Sequence, residues 1–229
     1  MIIRLADINI KIENKYAYLA ELCREYTAAE PNFSIDATVS EQEIYAEDTE
    51  NKYSAAYLES LAVYRKIAES ILDFDGFLMH GAVIDVHGCG TAFLAKSGVG
   101  KSTHVRLWQQ LLGSEIRVIN GDKPLIRIIG GCAYAFGTPW AGKEGLQVNA
   151  KTKLRKICFI ERSTENECIP LEKAHIFKRL INQIYIPKNK SIPKLFDLIN
   201  ILAEQSEFYL IKCNTDISAA KTAYEVIGI

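Results

Sequence analysis

Between Ala95 and Ser102 the chain reads Ala-Lys-Ser-Gly-Val-Gly-Lys-Ser. Phosphate oxygens need several hydrogen-bond donors converging in a small space. A tight loop hinged on Gly98 and Gly100 can turn its backbone N–H groups inward, because glycine tolerates the dihedrals this requires. The spacing fits a phosphate-binding loop in which Ser97, Gly98, Val99, Gly100 and Thr103 line the phosphates. Lys101 would reach the β- and γ-phosphates, and the Ser102 hydroxyl would ligate Mg²⁺. Ala95 stands where such loops usually carry their first glycine.

Three further segments carry chemistry that could join this loop. His80 opens an apolar stretch that leads by a hairpin into the loop's own strand, and histidine can act as acid or base near neutral pH. Asp122 follows the apolar run Ile-Arg-Val-Ile-Asn, where a carboxylate can serve Mg²⁺ or orient the attacking group in phosphoryl transfer. The glycine-bearing loop 137–145 offers Lys143 as a charge for a phosphate, and Trp140 as a side chain that could close over a substrate. His104 and Arg106, on the helix after the loop, read as solvated positions.

These residues need a scaffold. Residues 91–95 read as a buried strand and Lys101 to Leu112 as a helix, which places a helix N-terminus under the phosphates. Upstream, 1–12 reads as a strand, 15–26 as a short helix, 33–39 as a strand and 40–52 as an acidic, polar stretch. Residues 53–74 form the longest helical pattern, stopped by Asp75-Gly76. Downstream, strands are expected at 80–86, 115–120, 124–129, 132–136, 153–161, 168–171 and 208–213. Helices are expected near 172–185, 193–205 and 216–226. Hairpins beside helices predict an α/β fold with a mixed sheet rather than a purely parallel one. One domain is expected, with residues 77–229 as the core and 1–76 as an extension whose strands lengthen the core sheet and whose long helix covers it.

With 229 residues and 48% apolar content, the chain can bury a sizeable core without disulfides. A net charge of -1 gives no long-range attraction for nucleic acid or anionic membrane, so neither is expected as a partner. No run is long and apolar enough to span a bilayer, and the N-terminus lacks the layout of a signal peptide, which points to the cytoplasm. Cys23, Cys89, Cys132, Cys158, Cys168 and Cys213 form no Cys-x-x-Cys pair and read as free thiols.

The run His-Gly-Ala-Val-Ile-Asp-Val-His-Gly-Cys-Gly from His80 to Gly90, followed by the loop to Ser102, resembles the catalytic core of HPr kinase/phosphorylase. That family shows a His-Gly strand, an Asp-x-x-Gly hairpin and a phosphate-binding loop in this order and near this spacing. The order is also similar to the ATP-dependent phosphoenolpyruvate carboxykinase fold. The segments Ile-Asn-Gly-Asp-Lys-Pro, ending at Pro124, and Gly-Thr-Pro-Trp-Ala-Gly-Lys, ending at Lys143, look like a compact bacterial branch of such proteins. The resemblance implies transfer of the γ-phosphoryl group of ATP, or of another nucleoside triphosphate, to a hydroxyl of a protein, peptide or small molecule, with serine the expected acceptor. Lys101 would neutralise the phosphates, with Ser102 and Mg²⁺ bridging them. Asp122 would ligate the metal or accept the hydroxyl proton, and His80 would lie near the acceptor. A homo-oligomer is open on the same ground, and so is a nucleotide-binding regulator without turnover. Relatives carry two adjacent acidic residues where this chain has Gly121 and Asp122. The proline-glycine-arginine-asparagine signature of HPr kinases is absent, which argues for an acceptor other than HPr.

Overall fold

The computed structural model describes residues 1–48, 50, 52–188 and 190–228; positions 49 and 51 of the acidic stretch lie outside them. The first twelve residues form a hairpin rather than one strand, β1 (Ile2–Leu5) and β2 (Ile8–Lys11). Ala6 and Asp7 turn it with φ of 51° and 60°, the positive pair that a tight two-residue hairpin needs. α1 (Ala17–Leu22) follows, and only Ile35–Asp36 of the expected second strand pairs, as β3. α2 (Glu41–Tyr45) begins in a reciprocal cap between Ser40 and Glu43, and α3 (Ala55–Ser70) starts at Ser54. β1, β2 and β3 make a separate three-stranded sheet, so the N-terminal strands do not extend the main one. They share a core with it instead. Ile3, Ile10, Leu58 and Ile67 pack with Leu125, Phe136 and Trp140.

The main sheet is built from β4 (Gly76–Leu78), β5 (Ala82–Val86), β6 (Cys89–Leu94), β7 (Ile116–Asn120), β8 (Leu125–Ile129), β9 (Cys132–Phe136), β10 (Lys151–Arg162), β11 (Glu167–Pro170) and β12 (Glu207–Cys213). Its order is β4-β8-β9-β10-β6-β5-β7. β10 is long enough to use one edge twice: Lys151–Lys153 pair antiparallel with β9, and 156–162 pair parallel with β12. Its other edge runs parallel to β6. The result is a mixed, curled sheet with helices on it. α4 (Lys101–Leu112) and α7 (Ile217–Ile227) cover one face through Val105, Trp108 and Ala220. α5 (Lys173–Ile181) and α6 (Ile192–Gln205) cover the other through Leu180, Leu195 and Leu202.

Strand register positions the chemistry. β5 runs antiparallel to both neighbours, with Ala82 opposite Phe93 on β6 and Val83 opposite Asn120 on β7. The start of β5 therefore lies beside the ends of β6 and β7. His80, the loop after Leu94 and Asp122 meet there, although they are far apart along the chain. Among the described residues no helix is long and apolar enough to cross a membrane, and all six cysteines are free thiols.

Candidate active site

The phosphate-binding candidate sits between β6 and α4, with Gly98 at φ 78° and Gly100 at φ 128°. Gly100 is the N-cap of α4, which has no side-chain cap and no acidic residue in its first turn. The first N–H groups of that helix are left for an external acceptor, the arrangement an anion favours. Arg162, at the end of β10, donates from Nε to Val99 O at 3.0 Å and from Nη2 to Gly98 O, bracing the loop.

Lys101 is 8% exposed and donates from Nζ to Ala95 O at 3.1 Å. The same Nζ lies 3.1 Å from His80 Nε2. Burial lowers the pKa of this ammonium, opposed by the charge of Asp122 and assisted by that of Lys123. His80 is held by its backbone: its N–H donates to Gln183 O at 2.7 Å, and the next N–H, of Gly81, donates to Asp122 O at 2.8 Å. A Cβ at residue 81 would lie 2.3 Å from Leu94 Cδ2 and 3.1 Å from Phe93 O, so a larger residue there would have to displace the buried Leu94 side chain. His80 Nε2 is also 3.2 Å from Asp122 Oδ1. One ring nitrogen cannot both accept from Lys101 and donate to Asp122. A phosphate that draws Lys101 away would resolve the conflict in favour of the Asp122 contact.

Asp122 is presented by a turn. Asn120, fully buried, accepts at Oδ1 from Asp122 N at 2.9 Å and Lys123 N at 2.7 Å, and donates from Nδ2 to Thr138 O at 3.0 Å. Lys123 Nζ donates to Asp122 Oδ2, so both carboxylate oxygens have partners. Burial pushes the Asp122 carboxyl up, but hydrogen bonds and charge from His80 and Lys123 outweigh it and bring the pKa to about 2. Gly121 has a structural reason as well. A Cβ there would lie 3.1 Å from Ala141 O and 3.3 Å from Leu146 O, since the 137–147 segment closes directly over it.

A cavity of about 840 Å³ gathers these groups. Of the residues expected from the sequence, His80, Ser97, Gly98, Gly100, Lys101, Ser102, Thr103, Asp122 and Lys143 all line it. Val99 does not: its side chain packs with the α4 and α7 core, leaving only its backbone near the loop. Lys143 is exposed at the rim. Trp140 lines the cavity but is pinned, stacked on Tyr64 at 4.1 Å between ring centroids and donating from Nε1 to Ser60 O at 3.0 Å. It is a wall rather than a closing lid. His104 is not solvated: it is 2% exposed and accepts from Trp108 Nε1 at 3.0 Å. Arg106 is exposed and pairs with Glu144.

Sequence reasoning missed Asn120, Lys123 and Arg162, and it missed that Tyr18, Leu22, Tyr57 and Leu61 of the N-terminal segment form part of the cavity. The Asn-Gly pair at 120–121 is a turn signal that could have exposed the first. Nothing local marks Arg162.

The donor set near the loop, a hydroxyl and a carboxylate, suits Mg²⁺, which keeps few protein ligands and binds mainly through substrate phosphates. Among the described residues no cluster of three or more His, Cys, Asp or Glu side chains could hold a metal by itself.

No protein-family model matches the chain, and no curated protein matches it. Among solved structures, the Hpr(Ser) kinase/phosphatase from Coxiella burnetii aligns with 54% of this chain and 88% of its own, at 9% identity and a TM-score of 0.30. A likeness at that score carries no weight for the fold type or the chemistry, which rest on the residues themselves.

Proposed function

We propose that this chain is a nucleoside triphosphate- and Mg²⁺-dependent phosphotransferase that moves the γ-phosphoryl group to a hydroxyl. The observation that carries the reading is the convergence of Lys101, His80 and Asp122, contacting in series at 3.1 Å and 3.2 Å, at the mouth of an uncapped helix behind a glycine loop. The sequence resemblance to HPr kinase/phosphorylase supports it over the same residues.

In this reading the loop N–H groups and the α4 N-terminus bind the β-phosphate. Lys101 leaves Ala95 O and His80 to pair with the β- and γ-oxygens. Ser102 and Asp122 would hold Mg²⁺, which neutralises charge developing on the phosphates when bound. The acceptor oxygen forms the new O–P bond as the bond from γ-phosphorus to the bridging oxygen breaks, and the nucleoside diphosphate leaves. The hydroxyl proton passes to the His80–Asp122 pair. A carboxyl held at about 2 is a poor proton acceptor at neutral pH, so Asp122 serves through its charge; with His80 Nε2–H donating to Asp122, the free nitrogen Nδ1 takes the proton. The work is mainly positioning and charge neutralisation.

One observation favours a regulator that binds nucleotide without turnover: Lys123 and His80 occupy both oxygens of Asp122. Phosphoryl transfer and nucleotide binding by the wild type, Asp122→Asn and Lys101→Met separate the two. Lysine-dependent binding, with turnover lost in Asp122→Asn, supports the transferase. Lysine-dependent binding with no turnover against any hydroxyl acceptor supports the regulator, and absence of binding removes both.

A further inference from the structure

The phosphate chemistry leaves one wall of the cavity unused. Tyr18 and Leu22 of α1, with Tyr57 and Leu61 of α3, line it from outside the strand–loop–helix unit. Hydrogen bonds fix which end of the site this wall faces. Tyr64, on α3, donates from its hydroxyl to Lys123 O at 2.6 Å, one residue past Asp122. Trp140 Nε1 ties the 137–145 loop to Ser60 O of the same helix. α3 is thus stitched to the Asp122 side of the cavity. Lys101 Nζ, which marks the γ-phosphate end, points the same way, through His80. In the phosphotransferase reading, an acceptor reaching the γ-phosphate end would therefore come in beside this wall.

The wall differs chemically from the rest of the cavity. The phosphate side carries Lys101, Lys143 and Arg162, whereas none of the four wall residues is charged. Tyr57 is the centre of an aromatic group, with ring centroids 6.5 Å from Tyr18 and 5.3 Å from Tyr53. The three rings are exposed at 44% for Tyr18, 38% for Tyr57 and 58% for Tyr53. Clustered exposed aromatics mark surfaces that bind something apolar. A charged acceptor would lose water against this wall with no ion partner there to replace it.

We propose that this wall selects the phosphoryl acceptor, and that the acceptor is a hydroxyl carried beside an aromatic or apolar group, on a free alcohol or on a polypeptide side chain. The proposal rests on the phosphotransferase reading above. Calorimetric titration tests it with two kinds of probe: Mg²⁺ with a non-hydrolysable ATP analogue, and N-acetyl-phenylalanyl-serinamide beside its alanyl counterpart and 2-phenylethanol. The wild type should bind the phenylalanyl probe at least about tenfold more tightly than the alanyl one. Tyr57→Ala and Tyr18→Ala, at half-exposed positions, should erase that preference and leave nucleotide affinity within about twofold. Lys101→Met should do the reverse. Tighter binding of 2-phenylethanol than of the phenylalanyl probe supports the proposal with a free alcohol as source, and the opposite order supports it with a polypeptide. Equal affinity for the phenylalanyl and alanyl probes, or no binding of any acceptor probe at millimolar concentration, overturns it. So does a nucleotide affinity that falls with Tyr57→Ala, because the wall would then hold the base. If the nucleotide fails to bind the wild type, the phosphotransferase reading falls and the acceptor assignment with it, even where the phenylalanyl preference persists.

Discussion

Replacing Lys101 by methionine should leave the ligand-free protein nearly as stable as before and abolish its stabilisation by nucleotide. The ammonium is 8% exposed, and burial already disfavours its charge. Its two contacts, to Ala95 O and His80 Nε2, are each 3.1 Å long. A net hydrogen bond contributes about 1 kcal/mol, and relief of the buried charge offsets much of that loss. Ala95 O also keeps a partner, because the Gln183 amide, oriented to donate, reaches it at 3.2 Å. Methionine fills the volume of the lysine stem. The expected change in unfolding free energy is therefore within about 1 kcal/mol. Nucleotide at a hundred times its dissociation constant stabilises the wild type by about 2.7 kcal/mol. For a chain of 229 residues that corresponds to a rise in melting temperature of about 5–10 °C. Scanning calorimetry with and without Mg²⁺ and a non-hydrolysable ATP analogue measures both quantities. A nucleotide shift that survives in Lys101→Met would refute the phosphate role. A loss above about 3 kcal/mol without nucleotide would show that the lysine holds the fold instead.

Gly121→Asp should not restore a missing acid: its Cβ would press on Ala141 O and Leu146 O, costing about 1–3 kcal/mol with no gain in turnover, as urea denaturation and a coupled ATP assay would show. His104 sets an acid limit. Burial lowers its pKa to about 4, whereas an unfolded imidazole titrates near 6.5. Between these values the unfolded chain binds the extra proton, so stability is complete above pH 6.5 and falls by about 3 kcal/mol as pH drops to 4. Urea midpoints across that range should show the loss, and His104→Gln, which keeps an acceptor for Trp108, should flatten it. Trp140→Ala removes a buried ring stacked on Tyr64 and should cost about 3–5 kcal/mol, read as a lowered melting temperature.

Much of the main sheet was legible because its signals are local. The hairpin at 130–131 follows from Gly130-Gly131 between apolar runs, and β8 and β9 end where expected. α4 starts and stops at the expected residues, between Gly100 and Gly113. The N-terminal segment was less legible. Apolar alternation across 1–12 hides the turn at Ala6 and Asp7, which lack the glycine or asparagine that usually marks one. The 33–39 alternation pairs only at Ile35–Asp36, since pairing depends on a partner edge that alternation alone does not specify. Trp140 and His104 were misplaced because their burial comes from Tyr64 and Trp108 packed against them, contacts that residue type does not reveal.

The sequence by itself determined the parts of this protein whose physics is contained within a few residues. These are a glycine loop that can turn N–H groups toward phosphate, a helix beginning directly behind it, and the lysine and serine at fixed offsets from both. Only the tertiary structure decided what those parts face. The antiparallel register of β5 brings His80 and Asp122 to Lys101. Closure of the 137–147 segment crowds any side chain at 121. The shared core under the N-terminal sheet sets α1 and α3 as a wall of the same cavity. Such pairings are selected by burial summed over the whole chain, and no local stretch carries that sum.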